Sequence, residues 1–124
     1  MKPPTVLLIL ENPEDIQFYG TYLRESGYET QTCNCPGEGI NSLETESVSL
    51  VIVSQDTPAF EGRQVLERSL QLHPEVPVLV VARVLDMHYY LDAMDLGAID
   101  YLERPEPHDL AWVVDTQILR SPNA

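Results

Sequence analysis

The sequence predicts an α/β fold in which a parallel sheet is covered by helices on both faces. Short apolar runs alternate with segments of helical spacing along the whole chain, and this alternation is typical of parallel sheets. The runs at 50–54 and 78–82 are almost wholly apolar, as strands buried on both faces should be. Glycine and proline separate the segments. With 124 residues, the chain has the length of one domain.

The spacing of the apolar residues predicts ten elements. The helices are predicted from side chains that recur every three or four positions, such as Tyr19 and Leu23. Boundary residues such as Pro13 and Gly27 mark where they begin and end. The strands rest on short runs, most of them rich in β-branched residues. Strand and helix alternate over residues 5–10, 13–26, 29–33, 37–46, 50–54, 62–73, 78–82, 86–96, 99–102 and 108–119.

Composition argues against several classes of protein. The net charge of −13 is unfavourable for a nucleic-acid or anionic-membrane surface, so we expect no nucleic-acid partner and no membrane contact. No apolar run approaches the length of a membrane span. Cys33 and Cys35 do not have the usual spacing of zinc ligands, and we expect them to be reduced thiols in a cytoplasmic protein.

The expected site lies where the strands end. In open parallel sheets, ligands bind beyond the carboxyl ends of the strands, at the point where the strand order reverses. Ser54 ends the third strand and Asp56 follows it closely, while Arg83 is expected to be a solvated charge at the rim. The remaining residues at strand ends are Leu10, Glu11, Ala82 and Arg104.

Five short motifs connect this framework with a known family. They are ENPED after the first strand, GYET before the second, TPAFEG after the third, VPVLVVA for the fourth and GAIDYLERP at the fifth. On these motifs the chain resembles the receiver domain of bacterial two-component response regulators, from Val6 to about Leu119. The resemblance implies a CheY-like (flavodoxin-like) α/β/α sandwich with strand order 2-1-3-4-5. It also implies one receiver-like domain over residues 1–124, with a core of about 5–119 and a tail or linker start at 120–124.

The resemblance assigns five chemical positions, and the chain departs from the family at most of them. Phosphorylatable receivers hold Mg²⁺ with two adjacent acids after the first strand and accept the phosphoryl group on an aspartate that ends the third. A Ser or Thr after the fourth strand and a Lys after the fifth contact that group. The corresponding residues here are Leu10, Glu11, Ser54, Ala82 and Arg104. We therefore expect a pseudo-receiver that lacks the phosphoacceptor aspartate.

These substitutions predict a pocket without phosphoryl-transfer chemistry. Mg²⁺ needs several oxygen ligands, and Leu10 supplies none, so we expect weak or absent Mg²⁺ binding and no cofactor. The Ser54 hydroxyl would need an adjacent base to act as a nucleophile, and no histidine falls at the strand ends. We expect no catalytic residue and no enzymatic activity. The alternative phosphoacceptor is Asp56, beside a weakened metal site.

Two side chains beside the pocket carry structural predictions. Arg104 offers a rigid fork of donors for a carboxylate, so we expect a permanent bridge to Glu11 or Asp56; the alternative is that it points to solvent. The peptide bond from Arg104 to Pro105 is expected to be cis, as the resemblance implies and as X-Pro bonds permit. Tyr101 corresponds to the family's switch aromatic, and both an inward and an outward position remain open.

A partner face is predicted from helical geometry. If Ala93 packs on the sheet, a rotation of about 100° per residue turns Asp86 inward as well and leaves a second apolar stripe on the fourth helix. The same geometry turns two large apolar side chains of the last helix outward. Because the family commonly signals through helix four, strand five and helix five, we expect a homodimer or another protein partner there. The predicted face consists of Met87, Leu91, Met94, Trp112 and Leu119.

Three functions remain open from the sequence. The expected one is a receiver-like domain in bacterial two-component (phosphorelay) signal transduction that acts as a phosphorylation-independent protein-interaction module. The first alternative is a phosphoacceptor that uses Asp56. The second is a small-ligand sensor in the crevice at the carboxyl ends of the strands.

Overall fold

The computed structural model describes residues 3–57 and 61–120, apart from the side chain of Arg120. The tail predicted at 120–124 therefore lies almost wholly outside the described residues. Strands and helices alternate strictly along the chain. In order they are β1 (Thr5–Ile9), α1 (Pro13–Glu25), β2 (Glu29–Cys33), α2 (Pro36–Thr45), β3 (Leu50–Ser54), α3 (Gly62–Leu72), β4 (Val78–Ala82), α4 (Met87–Leu96), β5 (Asp100–Glu103) and α5 (Pro107–Arg120).

The five strands form one parallel sheet with the order β2-β1-β3-β4-β5, which confirms the predicted fold class. Every residue of β1, β3 and β4 is buried, whereas the edge strands β2 and β5 are partly exposed. This difference explains why the three central strands read as continuous apolar runs in the sequence. The strand order reverses between β1 and β3, so the switch point lies beside the ends of these two strands.

Each face of the sheet has its own apolar core. One core lies under α2, α3 and α4 and includes Leu43, Val65 and Ala93. The other lies under α1 and α5 and includes Leu23 and Val114. Side chains alternate between the two cores along each central strand, so every such strand contributes to both layers.

The predicted boundaries agree with the structure to within one or two residues. The largest conformational difference is at the start of α4, where Asp86 is the N-cap and not an inward-facing helical residue. Its carboxylate accepts hydrogen bonds from the backbone N–H groups of His88 and Tyr89, which is the usual role of an aspartate at this position. The prediction that Asp86 points inward is therefore wrong, and the side chain is exposed.

Helix α3 begins in close contact with the end of β3, and Gly62 makes this contact possible. A Cβ atom at Gly62 would lie 2.2 Å from the backbone oxygen of Ser54 and 2.9 Å from Oε1 of Gln55. No side chain fits at these distances without displacement of the backbone. Gly62 therefore fixes how closely α3 approaches the strand end at which the expected site lies.

Candidate functional site

Ser54 lies at the carboxyl end of β3, where the sequence predicts the centre of the site. Its side chain is only 3% exposed, and its Oγ atom accepts a hydrogen bond of 2.8 Å from the backbone N–H of Glu11. The hydroxyl thus joins the end of β3 to the loop after β1. No basic side chain contacts this hydroxyl in the described part of the chain, which is consistent with a structural role.

Two of the predicted pocket residues lie in the apolar cores. Leu10 is 1% exposed and packs in the core under α1 and α5. Ala82 is also buried and packs in the opposite core, together with Tyr101. Neither side chain offers a polar atom, so the position of the missing first acid and that of the missing hydroxyl are both filled by hydrocarbon.

Glu11 is the one retained acid, and its two oxygen atoms differ in environment. Oε1 accepts a hydrogen bond of 2.7 Å from the Thr57 hydroxyl. Oε2 is buried and has no hydrogen-bond partner within the described residues. Because a buried carboxylate oxygen without a partner is costly, Glu11 is a poorly satisfied acid held beside the strand ends.

Asp56 connects the loop after β3 with the loop after β4. Its Oδ1 atom accepts a hydrogen bond of 2.6 Å from the backbone N–H of Arg83. Burial raises the pKa of the Asp56 carboxyl, and the nearby acids Glu11 and Asp15 raise it further, while the Arg83 N–H opposes the increase. Asp56 is therefore a partly buried carboxyl at the site, with one oxygen already engaged.

The arginine that forms an ion pair at the site is Arg83, not Arg104. Its Nε and Nη2 atoms lie 3.1 and 3.2 Å from the two carboxylate oxygens of Asp15, in the first turn of α1. This two-point contact raises the pKa of the Arg83 guanidinium. The prediction of a solvated Arg83 at the rim is therefore wrong, because the start of α1 supplies a carboxylate within reach.

Arg104 does not form the predicted bridge. Its side chain is exposed, and it makes no ion pair or hydrogen bond to any residue in 3–57 or 61–120, so the alternative of an outward Arg104 fits the structure. The peptide bond to Pro105 is trans, and the prediction of a cis bond is wrong. Instead, Arg104 itself has a φ of 40°, a left-handed backbone conformation that is unusual for a residue with a side chain. This conformation turns the chain directly after β5.

Tyr101 occupies the inward position. Its side chain is buried in the same core as Ala82, and its ring meets the ring of Tyr90 edge-on at 5.6 Å. The phenol oxygen accepts a long hydrogen bond of 3.4 Å from the backbone N–H of Asp86. Burial raises the pKa of Tyr101, so the ring remains neutral. The small Ala82 side chain leaves room for this arrangement.

A crevice of about 270 Å³ opens at these strand ends, between α1 and the turn from β5 to α5. Its floor carries Ser54 and Asp56, and its walls carry both arginines. The Tyr19 hydroxyl spans the crevice margin and donates a hydrogen bond of 2.8 Å to the Pro105 carbonyl. The lining side chains are Asp15, Phe18, Tyr19, Ser54, Asp56, Val81, Ala82, Arg83, Arg104, Pro105, Glu106 and Pro107.

The donors at the site fit Mg²⁺ poorly. Leu10 turns into the core, and the Ser54 hydroxyl already accepts a hydrogen bond from a backbone N–H. Among the described carboxylates near these strand ends, Asp15 pairs with Arg83, and Glu11 and Asp56 are each partly engaged with a protein donor. An octahedral ion that needs several oxygen ligands is poorly served by this set. Among the described residues, no group of three or more Asp, Glu, His or Cys side chains has the arrangement of a metal site.

The predicted partner face consists of two groups of residues, one on α4 and one on α5. On α4, Met87 and Leu91 are exposed, and Met94 is partly buried against the core. Val84 and Leu85 in the preceding loop are exposed as well, so these five side chains extend an apolar patch around the start of α4. We call these five residues the α4 patch.

Trp112 and Leu119 are exposed, as predicted, and both lie on α5. One turn after Trp112, the Asp115 carboxylate accepts a hydrogen bond from the Tyr28 hydroxyl, so this side of α5 faces the end of α1. Helix α4 covers the opposite face of the sheet. A partner face that joins Trp112 to the α4 patch across the β5 edge therefore stays a prediction.

Sequence reasoning missed three polar residues of the site. Asp15 lies in the first turn of α1 and binds Arg83, and Thr57 binds Glu11. Tyr19 looked like an ordinary core aromatic, yet its hydroxyl anchors the turn after β5. The acidic start of α1 is visible in the motif ENPED and could have suggested a partner for an arginine at a neighbouring strand end.

The fold and the site together define a class: a doubly wound α/β domain whose polar residues gather at the switch point of a five-stranded parallel sheet. Solved structures share this architecture. The CheY-like response regulator receiver domain protein from Methanospirillum hungatei has a TM-score of 0.91 at 21% identity and covers 98% of both chains. A putative response regulator from Chloroflexus aurantiacus has a TM-score of 0.87 at 24% identity, over 96% of this chain and 100% of the other.

The sequence comparisons give the family. The profile of the response regulator receiver domain matches residues 6–114, and the chain belongs to this family. The response regulator SaeR of Staphylococcus epidermidis is 26% identical over 118 residues, which cover 94% of this chain and 51% of SaeR. The transcriptional regulatory protein GlrR of Escherichia coli is 26% identical over 111 residues, 90% of this chain and 25% of GlrR. The chain thus spans about half or less of the length of these curated relatives.

Receiver domains of two-component response regulators are signalling modules and are generally not enzymes, and partner proteins such as kinases act on them. Among the helices that the structure describes, none is both long and apolar enough to cross a bilayer.

Proposed function

We propose that this receiver domain acts in two-component signalling without phosphoryl transfer, as a protein-interaction module. The observation that carries the proposal is the state of Ser54. A buried serine replaces the acidic acceptor at the end of β3, and its hydroxyl is held by the Glu11 N–H. The apolar Leu10 and Ala82 complete the loss of metal ligand and phosphoryl contact.

The inward Tyr101 supports a single resting conformation. In the family, the aromatic residue of the fifth strand moves inward when the residue after the fourth strand approaches the phosphoryl group. Here the ring is already inside, and Ala82 has no hydroxyl that a phosphoryl group could attract. At the same end of the molecule, Asp56 accepts a hydrogen bond from the Arg83 N–H, and the Arg83 side chain forms an ion pair with Asp15. The signalling surface is thus set by the fold alone.

Intact-mass measurement after incubation with acetyl phosphate and Mg²⁺ tests the chemistry. We expect no adduct, because the acceptor carboxylate, one acidic ligand and the hydroxyl contact are all missing. A stoichiometric, base-labile phosphoryl adduct would contradict the proposal. If that adduct disappears in the Asp56→Asn variant, the domain is instead a phosphoacceptor that uses Asp56. This residue lines the crevice and has one carboxylate oxygen that is not hydrogen-bonded to the described residues.

The interaction surface in this proposal is the α4 patch. A protein partner, including a second copy of this chain, is expected to cover Met87 and Leu91, which are 59% and 54% exposed. Sedimentation velocity over a range of concentrations tests the homodimer. Leu91→Gln should abolish self-association and leave the fold intact. Trp112→Gln, on α5, is the matched control. Loss of association in the Trp112 variant alone would place the interface on α5 instead. A parent that is monomeric at every concentration would exclude the homodimer.

A cytoplasmic location belongs to the same proposal. Cys33 and Cys35 are both free thiols, as expected in a reducing compartment.

A further inference from the structure

Two groups of opposite charge line the crevice, and each has polar atoms without a partner among the described residues. The Arg104 side chain makes no hydrogen bond or ion pair with the described residues, although each of the other four described arginine side chains makes at least one. Asp56 uses only Oδ1, which accepts the Arg83 N–H. Its Oδ2 has no hydrogen bond to the described residues and is not among the buried, unsatisfied atoms. Among the described residues, the crevice thus offers a free cation at Arg104 and accessible carboxylate oxygens at Asp56 and at the exposed Glu106.

Arg104 is held at the crevice by the backbone. Its N–H donates a hydrogen bond of 2.8 Å to the Ala82 carbonyl, and the following carbonyl of Pro105 accepts one from the Tyr19 hydroxyl. Between these two anchors the Arg104 backbone keeps its positive φ of 40°. Strained residues of this kind persist only where their surroundings hold them, and they cluster at binding sites. The turn therefore holds Arg104 in a strained position beside the cavity, where its side chain makes no hydrogen bond or ion pair with the described residues.

The remaining walls are largely apolar. Phe18 is 56% exposed at the crevice, and its ring lies 5.3 Å from the ring of Tyr19. Pro105 and Pro107 form the facing wall, and Val81 contributes from β4. The volume of about 270 Å³ is below the usual range of drug-sized pockets, so the crevice suits a small metabolite.

The charges exclude the simplest ligands. A lone anion would meet Arg104 but also the carboxylates of Asp56 and Glu106, in a chain with a net charge of −13. A lone cation would be repelled by the Arg104 guanidinium. The Asp15 and Arg83 charges already neutralise each other across 3.1 Å and offer little to either. A ligand that carries both signs satisfies both free groups at once.

We propose that this crevice binds a small zwitterion of the free amino-acid class, with its carboxylate on Arg104, its ammonium group on Asp56 and an apolar or aromatic body against Phe18. Three observations support the proposal: the Arg104 guanidinium and one Asp56 oxygen have no partner among the described residues, a strained turn holds Arg104, and the exposed Phe18 ring lines the crevice. This inference does not rest on the α4 patch.

Titration of the ¹⁵N-labelled chain with L-phenylalanine tests the proposal by NMR. We expect saturable shifts of the amide signals of Asp56, Arg83 and Arg104. N-acetyl-L-phenylalanine lacks the ammonium group and phenethylamine lacks the carboxylate, so each should bind about tenfold more weakly or worse. Binding of all three probes with equal affinity would show an apolar site and overturn the zwitterion.

Three variants assign the contacts. Arg104→Gln and Asp56→Asn should each weaken L-phenylalanine binding about tenfold, because each removes one charged partner. Phe18→Ser removes the exposed ring and should weaken it as well. Arg68→Gln is the control, since Arg68 pairs with Glu44 and lies outside the crevice. Unsaturable shifts with every one of the twenty common amino acids, or equal affinity in the Arg104 variant and the control, would overturn the proposal.

Discussion

The loop after β4 and the turn after β5 leave the same edge of the sheet, and each begins with an arginine. Arg83 is tied twice: its backbone N–H binds Asp56, and its guanidinium binds Asp15. Arg104 has a strained backbone and a guanidinium without a partner in the described residues. The loop after β4 is therefore held in a closed network of contacts, while the turn after β5 presents a positive charge without a partner in the described residues. Two residues of one type, placed alike in the sequence, thus differ in that, among the described residues, Arg83 pairs with the acidic start of α1 and Arg104 does not.

The difference separates two roles within one site. The Arg83 network joins the loops after β3 and β4 to the start of α1 through protein contacts. The Arg104 turn keeps a free donor at the crevice at the expense of backbone strain. Stability and ligand binding should therefore respond in opposite ways to changes at these two positions, which makes the comparison testable.

The largest effect on stability is expected at the end of β3, on which the loop after β4 and the turn after β5 both depend. Gly62→Ala places a methyl group 2.2 Å from the Ser54 backbone oxygen, so α3 must move away from β3. We expect a loss of roughly 2–4 kcal/mol in the free energy of unfolding, as for other overpacked positions. Urea denaturation measures it.

Gly37→Ala is the matched control for this change. A Cβ at Gly37 meets nothing within 4 Å, and alanine favours the helix α2 in which it lies. The control should be neutral or slightly stabilising. Equal losses in the two variants would show that helical glycines in general, and not the close contact at β3, determine the effect.

The next largest effect on stability is a gain, not a loss. Arg104→Gly should stabilise the domain by roughly 0.5–1 kcal/mol, because glycine adopts a positive φ without steric cost. The same variant should lose the proposed zwitterion binding, since the guanidinium is gone. Thermal denaturation and the NMR titration measure the two properties in one sample.

Arg104→Ala separates backbone strain from the side chain. Alanine removes the guanidinium but keeps the Cβ atom, so we expect a stability close to that of the parent. A clear loss of stability in this variant would indicate that Arg104 has a stabilising contact after all, as the sequence had suggested.

The sequence predicts the fold far better than it predicts the pairing of charges at the site. The strand and helix positions follow from apolar runs such as Leu50–Ser54, whose periodicity is a local property of the chain. The edge on which the site lies follows from the parallel topology. The pairing of Arg83 with Asp15 depends on where the first turn of α1 lies relative to β4, 68 residues away in the chain. Such a choice among several nearby carboxylates is not encoded locally.

The surface shows the same limit of sequence reasoning. Helical periodicity correctly predicts that Leu91 and Trp112 are exposed. It cannot place two helices relative to each other, and α4 and α5 cover opposite faces of the sheet. The contact between Tyr28 and Asp115, which orients α5 toward α1, joins residues far apart in sequence. A face that spans two helices therefore needs the tertiary structure.

A smaller effect is expected when the closed network is opened. Arg83→Gln removes the contact with Asp15 but keeps the backbone N–H that binds Asp56. Because the pair is partly exposed, we expect a slight loss of stability that disappears at high salt concentration. Chemical denaturation at low and high salt measures it, and the double variant with Asp15→Asn should be no less stable than Arg83→Gln alone. Additive losses in the double variant would show that the two side chains act independently.

The smallest effect concerns the pH dependence of stability through Asp56. Burial and the neighbouring acids Glu11 and Asp15 raise the pKa of its carboxyl in the folded state, and the Arg83 N–H only partly opposes this. The folded protein therefore binds this proton more tightly than the unfolded chain does. The stabilising contribution is fully present below the ordinary aspartate pKa of about 4 and is lost as the pH rises through the raised folded value. At neutral pH, the ionised Asp56 thus lowers stability.

Asp56→Asn should remove this cost while its Oδ1 atom still accepts the Arg83 N–H. We expect the variant to be more stable than the parent at pH 7, by less than about 1 kcal/mol, and to lose this advantage below pH about 4. Urea denaturation of both proteins at a series of pH values measures the difference. If the two stability curves run parallel across this range, the carboxyl has an ordinary pKa and the closed network around Arg83 exerts no strain on it. If the variant is less stable at pH 7, the charge of Asp56 stabilises the loop after β4, and its hydrogen bond to Arg83 outweighs its burial.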